Sequence, residues 1–180
     1  MELTGINPFD AAVMAWIQEN LHNAVTDTVL PLITHLGDAG LFWIASAVVL
    51  LFFKKTRKTG ALVLVTMLLT YVTGELVLKN LIARPRPCHL FPEVPLLIPR
   101  PDSFSFPSGH SASSFTAAVM LTLRHKKAWP ALILAALIAF SRVFLFVHYP
   151  TDIIAGAALG TAFAVLVNCV GEKLCKRKVP

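Results

Sequence analysis

The sequence predicts an all-helical integral membrane protein, a bundle of about five transmembrane helices preceded by N-terminal amphipathic interfacial helices. Three observations carry this reading. Apolar residues make up 56% of the 180-residue chain and charged residues 14%, with a mean hydropathy of +0.68; soluble domains average about 45–50% apolar and about 25% charged. The apolar residues gather in five stretches, roughly 39–53, 59–82, 108–123, 128–147 and 152–171. Of the 16 Lys and Arg residues, 11 lie in three clusters that close or separate those stretches: Lys54, Lys55, Arg57, Lys58; Arg124, Lys126, Lys127; and Lys173, Lys176, Arg177, Lys178. That is the pattern of cytoplasmic loops.

In chain order, residues 1–37 carry Glu2, Asp10, Glu19 and Asp27 and no Lys or Arg. Phe9, Val13, Trp16, Ile17 and Leu21 recur at helical spacing, as do Val25, Val29, Leu32, Ile33 and Leu36. We read two amphipathic helices in the outer interface; the alternative is one extra, polar span with the N-terminus inside. The first 20 residues lack the positive charge and clean apolar core of a cleavable signal. Residues 38–175 form the transmembrane core, and 176–180 a short cytoplasmic tail. Only 152–171 gives an uninterrupted uncharged run near span length, beginning after Asp152. The other stretches reach it by taking in a polar residue near one end, among them Glu75, Lys79, His110 and Arg142. Ionisable residues inside a span are costly and mark function.

The three basic clusters fall on one membrane face, so the connections around 84–107 and 148–151 fall on the other. The 84–107 loop holds seven prolines, which stiffen it and keep it from folding into helix. The net charge of +6 follows the topology of the loops; no aromatic-interleaved basic face appears, which excludes nucleic acid as a partner class. Cys88, Cys169 and Cys175 have no metal-like spacing, and an odd count excludes a complete intrachain disulfide framework. They read as small apolar residues, or as one exposed thiol at Cys88.

Three separated segments on the cation-poor face carry one kind of chemistry. In Pro107-Ser108-Gly109-His110, Ser108 is a helix N-cap and Gly109 admits close backbone approach; the first-turn N–H groups form an anion site. Lys79 and Arg86 offer a point charge and a planar fork to a phosphate. Arg84 forms a second Arg-Pro pair; spacing from Lys79 selects Arg86 and leaves Arg84 accessory. His148 and Asp152 flank a helix start at Pro150, where a carboxylate can fix the imidazole tautomer and free the other nitrogen to attack. Each segment alone has an ordinary explanation: a chance capped histidine, cations snorkelling to the interface, a helix-start aspartate. Snorkelling fits one cation well, but not Lys79, Arg84, Arg86, Arg100 and Arg142 together on the face that should be poor in them. Glu75, one turn before Lys79, either pairs with it or lines a path for substrate. His22, His35, His89 and His125 show no partner pattern and read as ordinary histidines.

Taken together, Lys-x6-Arg-Pro, Pro-Ser-Gly-His and Ser-Arg-x5-His-x3-Asp, filled by Lys79, Arg86, Pro87, Pro107, Ser108, Gly109, His110, Ser141, Arg142, His148 and Asp152, resemble the type 2 phosphatidic acid phosphatase family of membrane lipid phosphatases. The resemblance covers roughly 39–172. It implies a phosphatase with no cofactor and no metal, whose substrate is a lipid phosphate or diphosphate among the membrane lipids. His148 would attack phosphorus with Asp152 behind it, His110 would protonate the leaving oxygen and then activate water, and Lys79, Arg86, Ser108, Gly109 and Arg142 would bind phosphate. The pattern also matches vanadium haloperoxidases, which are soluble. Small size and an outward site resemble bacterial members acting on undecaprenyl diphosphate, the cell-wall carrier lipid; phosphatidylglycerophosphate, phosphatidate and other isoprenoid diphosphates stay open. A reading of another class is a non-hydrolytic lipid-phosphate binder or transporter, which needs the cations but not His148, Asp152 and His110 together.

Overall fold

The computed structural model describes residues 3–176, with side chains from 3 to 173. Among these residues there are nine α-helices and no strand. Helix α1 (Pro8–Asn20) starts on proline, with Asn7 Oδ1 accepting from Phe9 N at 2.9 Å. Helix α2 (Ala24–His35) starts on a capping box: Thr26 N donates to Asn23 Oδ1 at 3.1 Å and Asn23 N to Thr26 Oγ1 at 3.0 Å. Such caps contribute about 1 kcal/mol each.

The predicted apolar stripes of these two helices split between the two sides. Phe9, Trp16, Val25, Val29, Leu32 and Leu36 are exposed, Val13, Leu21 and Ile33 pack partly against the core, and Ile17 is buried against the bundle with Asp10, Met14, Leu30 and Thr34. In a membrane the apolar face needs no protein to cover it, whereas buried polar groups must find partners inside the fold. The helices pack on α8 (Pro130–Phe144) and α9 (Pro150–Lys176), and Gln18 Nε2 donates to Phe144 O at 3.0 Å.

Helix α3 (Leu41–Leu51) turns back at Lys54–Lys55 into α4 (Arg57–Tyr71). Helix α4 continues through a π-helical turn, Val72–Leu78, into α5 (Lys79–Ile82). Ala83, at φ 47°, stops that helix, and Pro85 prevents its resumption. A single turn, α6 (Pro87–Leu90), interrupts the proline-rich loop before α7 (Gly109–Arg124). Three stretches are long and apolar enough to cross a membrane, Arg57–Leu90, Lys126–Phe144 and Pro150–Lys173; α2 and α3, meeting at 43°, make a fourth only as a pair.

The predicted spans at 39–53 and 108–123 therefore look different in the fold. They contain an 11-residue α3 and a 16-residue α7, both short of the ~20 residues a span needs. Helix α7 is enclosed by α4, α8 and α9, so its Ser and Thr residues meet protein. Trp43 Nε1 donates to Ser114 Oγ at 2.9 Å, and the Thr70 and Thr116 hydroxyls pair at 2.9 Å. Helices α7 and α9 approach closely along a small-residue seam: a Cβ on Gly156 would lie 2.5 Å from Ser108 O, and one on Gly160 2.3 Å from Ala112 O.

The basic turns gather at one end of the bundle. Thr59 Oγ1 lies 3.1 Å from His125 Nε2, and Arg124 Nη1 lies 3.5 Å from Glu172 Oε1. Of the predicted tail 176–180, Lys176 ends α9 and residues 177–180 lie outside the described residues. Cys88 is buried and Cys169 is exposed, which removes the reading of Cys88 as a free surface thiol.

Candidate active site

At the end opposite the basic turns, α5, the 83–107 loop, the start of α7, the 145–149 turn and the start of α9 come together. Lys79, Arg86, Gly109, His110, Arg142 and His148 all line one cavity of about 580 Å³. Its other wall is apolar, with Ile44, Leu64, Met67 and Leu68 from α3 and α4.

The three cations reach the cavity by different routes. Lys79 is buried, and both carboxylate oxygens of Glu75 accept from its Nζ at 2.7 Å. Glu75 thus pairs with Lys79 and also lines the cavity. Arg86 is clamped by the loop it begins: Nε donates to Ser103 O at 2.6 Å and Nη2 to Ser103 Oγ at 2.9 Å. Its Nη1 reaches Val147 O at 2.8 Å and His148 Nε2 at 2.9 Å. Arg142, near the end of α8, donates from Nη1 to Thr34 Oγ1 at 2.8 Å. Among the described residues its Nε is buried with no partner, a donor the protein itself does not use.

His148 sits in a turn whose residues are all buried. Because an arginine N–H can only donate, His148 Nε2 must accept, which places the ring proton on Nδ1. Nδ1 lies 3.4 Å from Asp152 Oδ2 and 3.4 Å from Ser105 Oγ. Burial first, and the Arg86 guanidinium after it, push the His148 imidazole well below its usual range. The ring is held neutral, its Nε2 lone pair accepting from Arg86 Nη1, and the residue lines the cavity.

Asp152 is held more tightly by other groups than by His148. Its Oδ2 accepts from Tyr149 N at 2.9 Å and from the Ser105 hydroxyl, and its Oδ1 accepts from Arg84 Nη1 at 2.6 Å. Arg84 also donates to Asp10 Oδ2 at 2.7 Å and stacks over the Tyr149 ring at 3.7 Å. Asp10 in turn accepts from Thr151 N and Thr151 Oγ1 at 2.9 and 2.7 Å. The accessory reading of Arg84 sharpens into a brace between α1 and the start of α9. Arg100 ties the loop to itself through Cys88 O and Pro92 O.

The Ser108-Gly109-His110 segment forms the start of α7 as its pattern predicts. Ser108 Oγ accepts from Ser111 N at 3.4 Å, and a Cβ on Gly109 would meet Glu75 Oε1 at 2.4 Å. Ser141, in contrast, bonds back to Ile138 O at 2.7 Å. His110 Nε2 lies 3.0 Å from Asp38 Oδ1. The predicted site residues thus converge: Lys79, Arg86, Gly109, His110, Arg142 and His148 line the cavity, Asp152 stands behind His148, and Ser108 caps α7.

Sequence reasoning missed Asp10, Thr34, Asp38 and Ser105. Only Asp10 left a trace in the pattern, since its i, i+4, i+7 spacing with Met14 and Ile17 places a carboxylate on the inward face. The histidines taken as ordinary have partners as well. His22 pairs with Asp27 at 2.7 Å, His35 with Asp38 at 2.8 Å and His125 with Thr59 at 3.1 Å.

A family model described as the PAP2 superfamily matches residues 59–174. The chain is 40% identical over 127 residues to an undecaprenyl-diphosphatase of Sulfolobus acidocaldarius, covering 69% of this chain and 61% of that protein. It is 34% identical over 178 residues to phosphatidylglycerophosphatase B of Bacillus subtilis, covering 88% of this chain and 77% of the relative. The crystal structure of the B. subtilis transmembrane PAP2-type phosphatidylglycerolphosphate phosphatase superimposes with a TM-score of 0.76 at 30% identity, covering 94% of this chain and 89% of that one. The chain spans less than two thirds of the length of the Sulfolobus relative.

Proposed function

The chain belongs to the PAP2 superfamily, and from that premise we propose that it hydrolyses the terminal phosphate of a lipid phosphate or diphosphate at the outer leaflet, through a phosphohistidine. The observation that carries the reading is the placement of His148: a buried, neutral imidazole that lines a cavity shared with Lys79, Arg86 and Arg142, its Nε2 held by Arg86 Nη1, a bond that must open for Nε2 to attack.

In the first step His148 Nε2 forms a bond to phosphorus as the bond to the leaving oxygen breaks, and His110 gives that oxygen a proton. In the second, water attacks phosphorus, His110 takes its proton, and the P–N bond breaks to release inorganic phosphate and neutral His148. Asp152 supports the positive charge that appears on the His148 ring. Lys79, Arg86, Arg142, Ser108 and the Gly109 N–H stabilise the non-bridging oxygens, commonly the largest catalytic contribution. The apolar wall of Ile44, Leu64, Met67 and Leu68 suits a lipid tail. The similarity to the Sulfolobus enzyme favours undecaprenyl diphosphate as substrate; the longer match to the B. subtilis enzyme supports phosphatidylglycerophosphate as the second reading.

The test is phosphate release by purified protein from both lipids and phosphatidate, with and without chelator, with acid-labile phosphoenzyme trapped by rapid quench. Activity surviving His148→Ala overturns the nucleophile, and activity lost to chelator and restored by metal overturns the metal-free mechanism. Lipid binding without phosphate release points to a carrier.

A further inference from the structure

We infer that the turn joining α2 to α3, Gly37–Gly40, is shaped around His110, and that Asp38 is a positioning residue setting where that ring carries its proton. The inference rests on the acid–base role proposed for His110.

Three features of this turn converge on one ring edge. Asp38 Oδ1 lies 3.0 Å from His110 Nε2, and Asp38 Oδ2 is held by His35 Nδ1 at 2.8 Å. The backbone of Gly37 lies flat against the imidazole: an added Cβ would fall 2.5 Å from His110 Cδ2 and 2.7 Å from Ile138 Cγ2. Ala39 and Gly40 both take positive φ, 49° and 67°. For an alanine that conformation costs about 1 kcal/mol and persists only where its surroundings enforce it. It bends the chain by 43° within a few residues of Gly37, so that one short turn supplies both the packing surface and the carboxylate.

The turn therefore covers Cδ2 and Nε2. The other nitrogen, Nδ1, has no hydrogen-bond partner among the described residues, and the ring lines the cavity. A carboxylate at one imidazole nitrogen fixes the proton there and leaves the second nitrogen to exchange its own. His110 would keep Nε2–H throughout. Nδ1 would give its proton to the departing oxygen as the P–O bond breaks, and recover one from water as the P–N bond breaks. Asp38 would balance the charge of the doubly protonated ring. Half of the Asp38 side chain is exposed, so its effect belongs at the modest end of the range for groups supporting acid–base catalysis.

The experiment uses the full chain in detergent with two substrates, dodecyl phosphate and p-nitrophenyl phosphate. Because kcat/KM reports events up to P–O cleavage, it isolates the need to protonate the leaving group. Asp38→Asn is expected to lower kcat/KM on the alkyl phosphate about 10- to 100-fold, and on the nitrophenyl ester, whose leaving group needs no proton, no more than about threefold. The retained nitrophenyl activity also reports correct folding, and Asp38→Ser gives the same comparison if the first variant does not express. An equal loss on both substrates, or no loss on either, overturns the inference. His110→Ala separates the two layers. If it leaves the alkyl-to-nitrophenyl ratio unchanged, the acid role of His110 fails and this inference fails with it. If it collapses the ratio while Asp38→Asn does not, only the inference fails.

Discussion

Arg84 and Arg86 stand two residues apart and face different partners. Arg86 spends its donors on Ser103, Val147 and His148, so it holds the His148 ring and borders the cavity together. Arg86→Lys keeps the charge but loses the fork; kcat/KM is expected to fall about 100-fold or more, a loss of about 3 kcal/mol of transition-state stabilisation. Arg84 bridges Asp10 and Asp152, both fully buried. Arg84→Ala strands the carboxylates, and thermal unfolding in detergent is expected to show a loss of about 3–5 kcal/mol; Asp10→Asn, which keeps one acceptor oxygen and leaves no buried unpaired charge of its own, is expected to cost less. His148 makes a prediction of its own. Its folded-state pKa is lowered, so below about pH 6.5 the unfolded chain takes up a proton that the folded chain does not. The stability it contributes is present above that pH and lost as pH falls toward the folded value, by about 1.4 kcal/mol per unit. A His148→Gln variant, compared from pH 7.5 to 5.5, should lack this component of the acid slope.

At the level of elements, helix starts do most of the positioning. Ser108 begins α7 and Pro150 begins α9, and these two helices are held in register by the Gly156 and Gly160 seam. Ser108 N donates to Asp152 O at 3.1 Å, so any separation of α7 from α9 also moves Asp152 relative to the α7 N-terminus. Gly160→Ala places a methyl against Ala112 O, and overpacking of this kind costs about 1–3 kcal/mol. The expected outcome is a lower melting temperature with activity falling in parallel, read by differential scanning fluorimetry and phosphate release on the same preparation. The caps and proline starts were legible because they depend on a few adjacent residues. The π-helical turn at 72–78, which sets the direction of Glu75 and Lys79, left no comparable local signal.

Across the whole molecule, the basic turns occupy one end and the candidate site the other, the arrangement expected if the site faces away from the cytoplasm. In a Cys169→Ala, Cys175→Ala background, a cysteine at exposed Asp102 is expected to react with an impermeant maleimide on intact cells, and one at exposed Lys127 only after permeabilisation; the reverse pattern would invert the proposed orientation. Composition, charge asymmetry and the spacing of apolar stretches sufficed to indicate a helical membrane protein with its basic turns at one end, since each follows from the cost of placing a side chain in hydrocarbon or water. The three motif segments were likewise visible as residue types suited to phosphate. What brings them into one site is not visible along the chain. Asp10 meets Thr151 across 141 positions, Thr34 meets Arg142 across 108, and Asp38 meets His110 across 72. No periodicity or cap links residues so distant, because their pairing depends on which helix faces pack together. The tertiary structure decided that Asp10 of α1 and Thr34 of α2 turn inward among apolar neighbours, and that the turn after α2 sets Asp38 against His110, because only the packing of these helices on α8 and α9 brings such distant positions together.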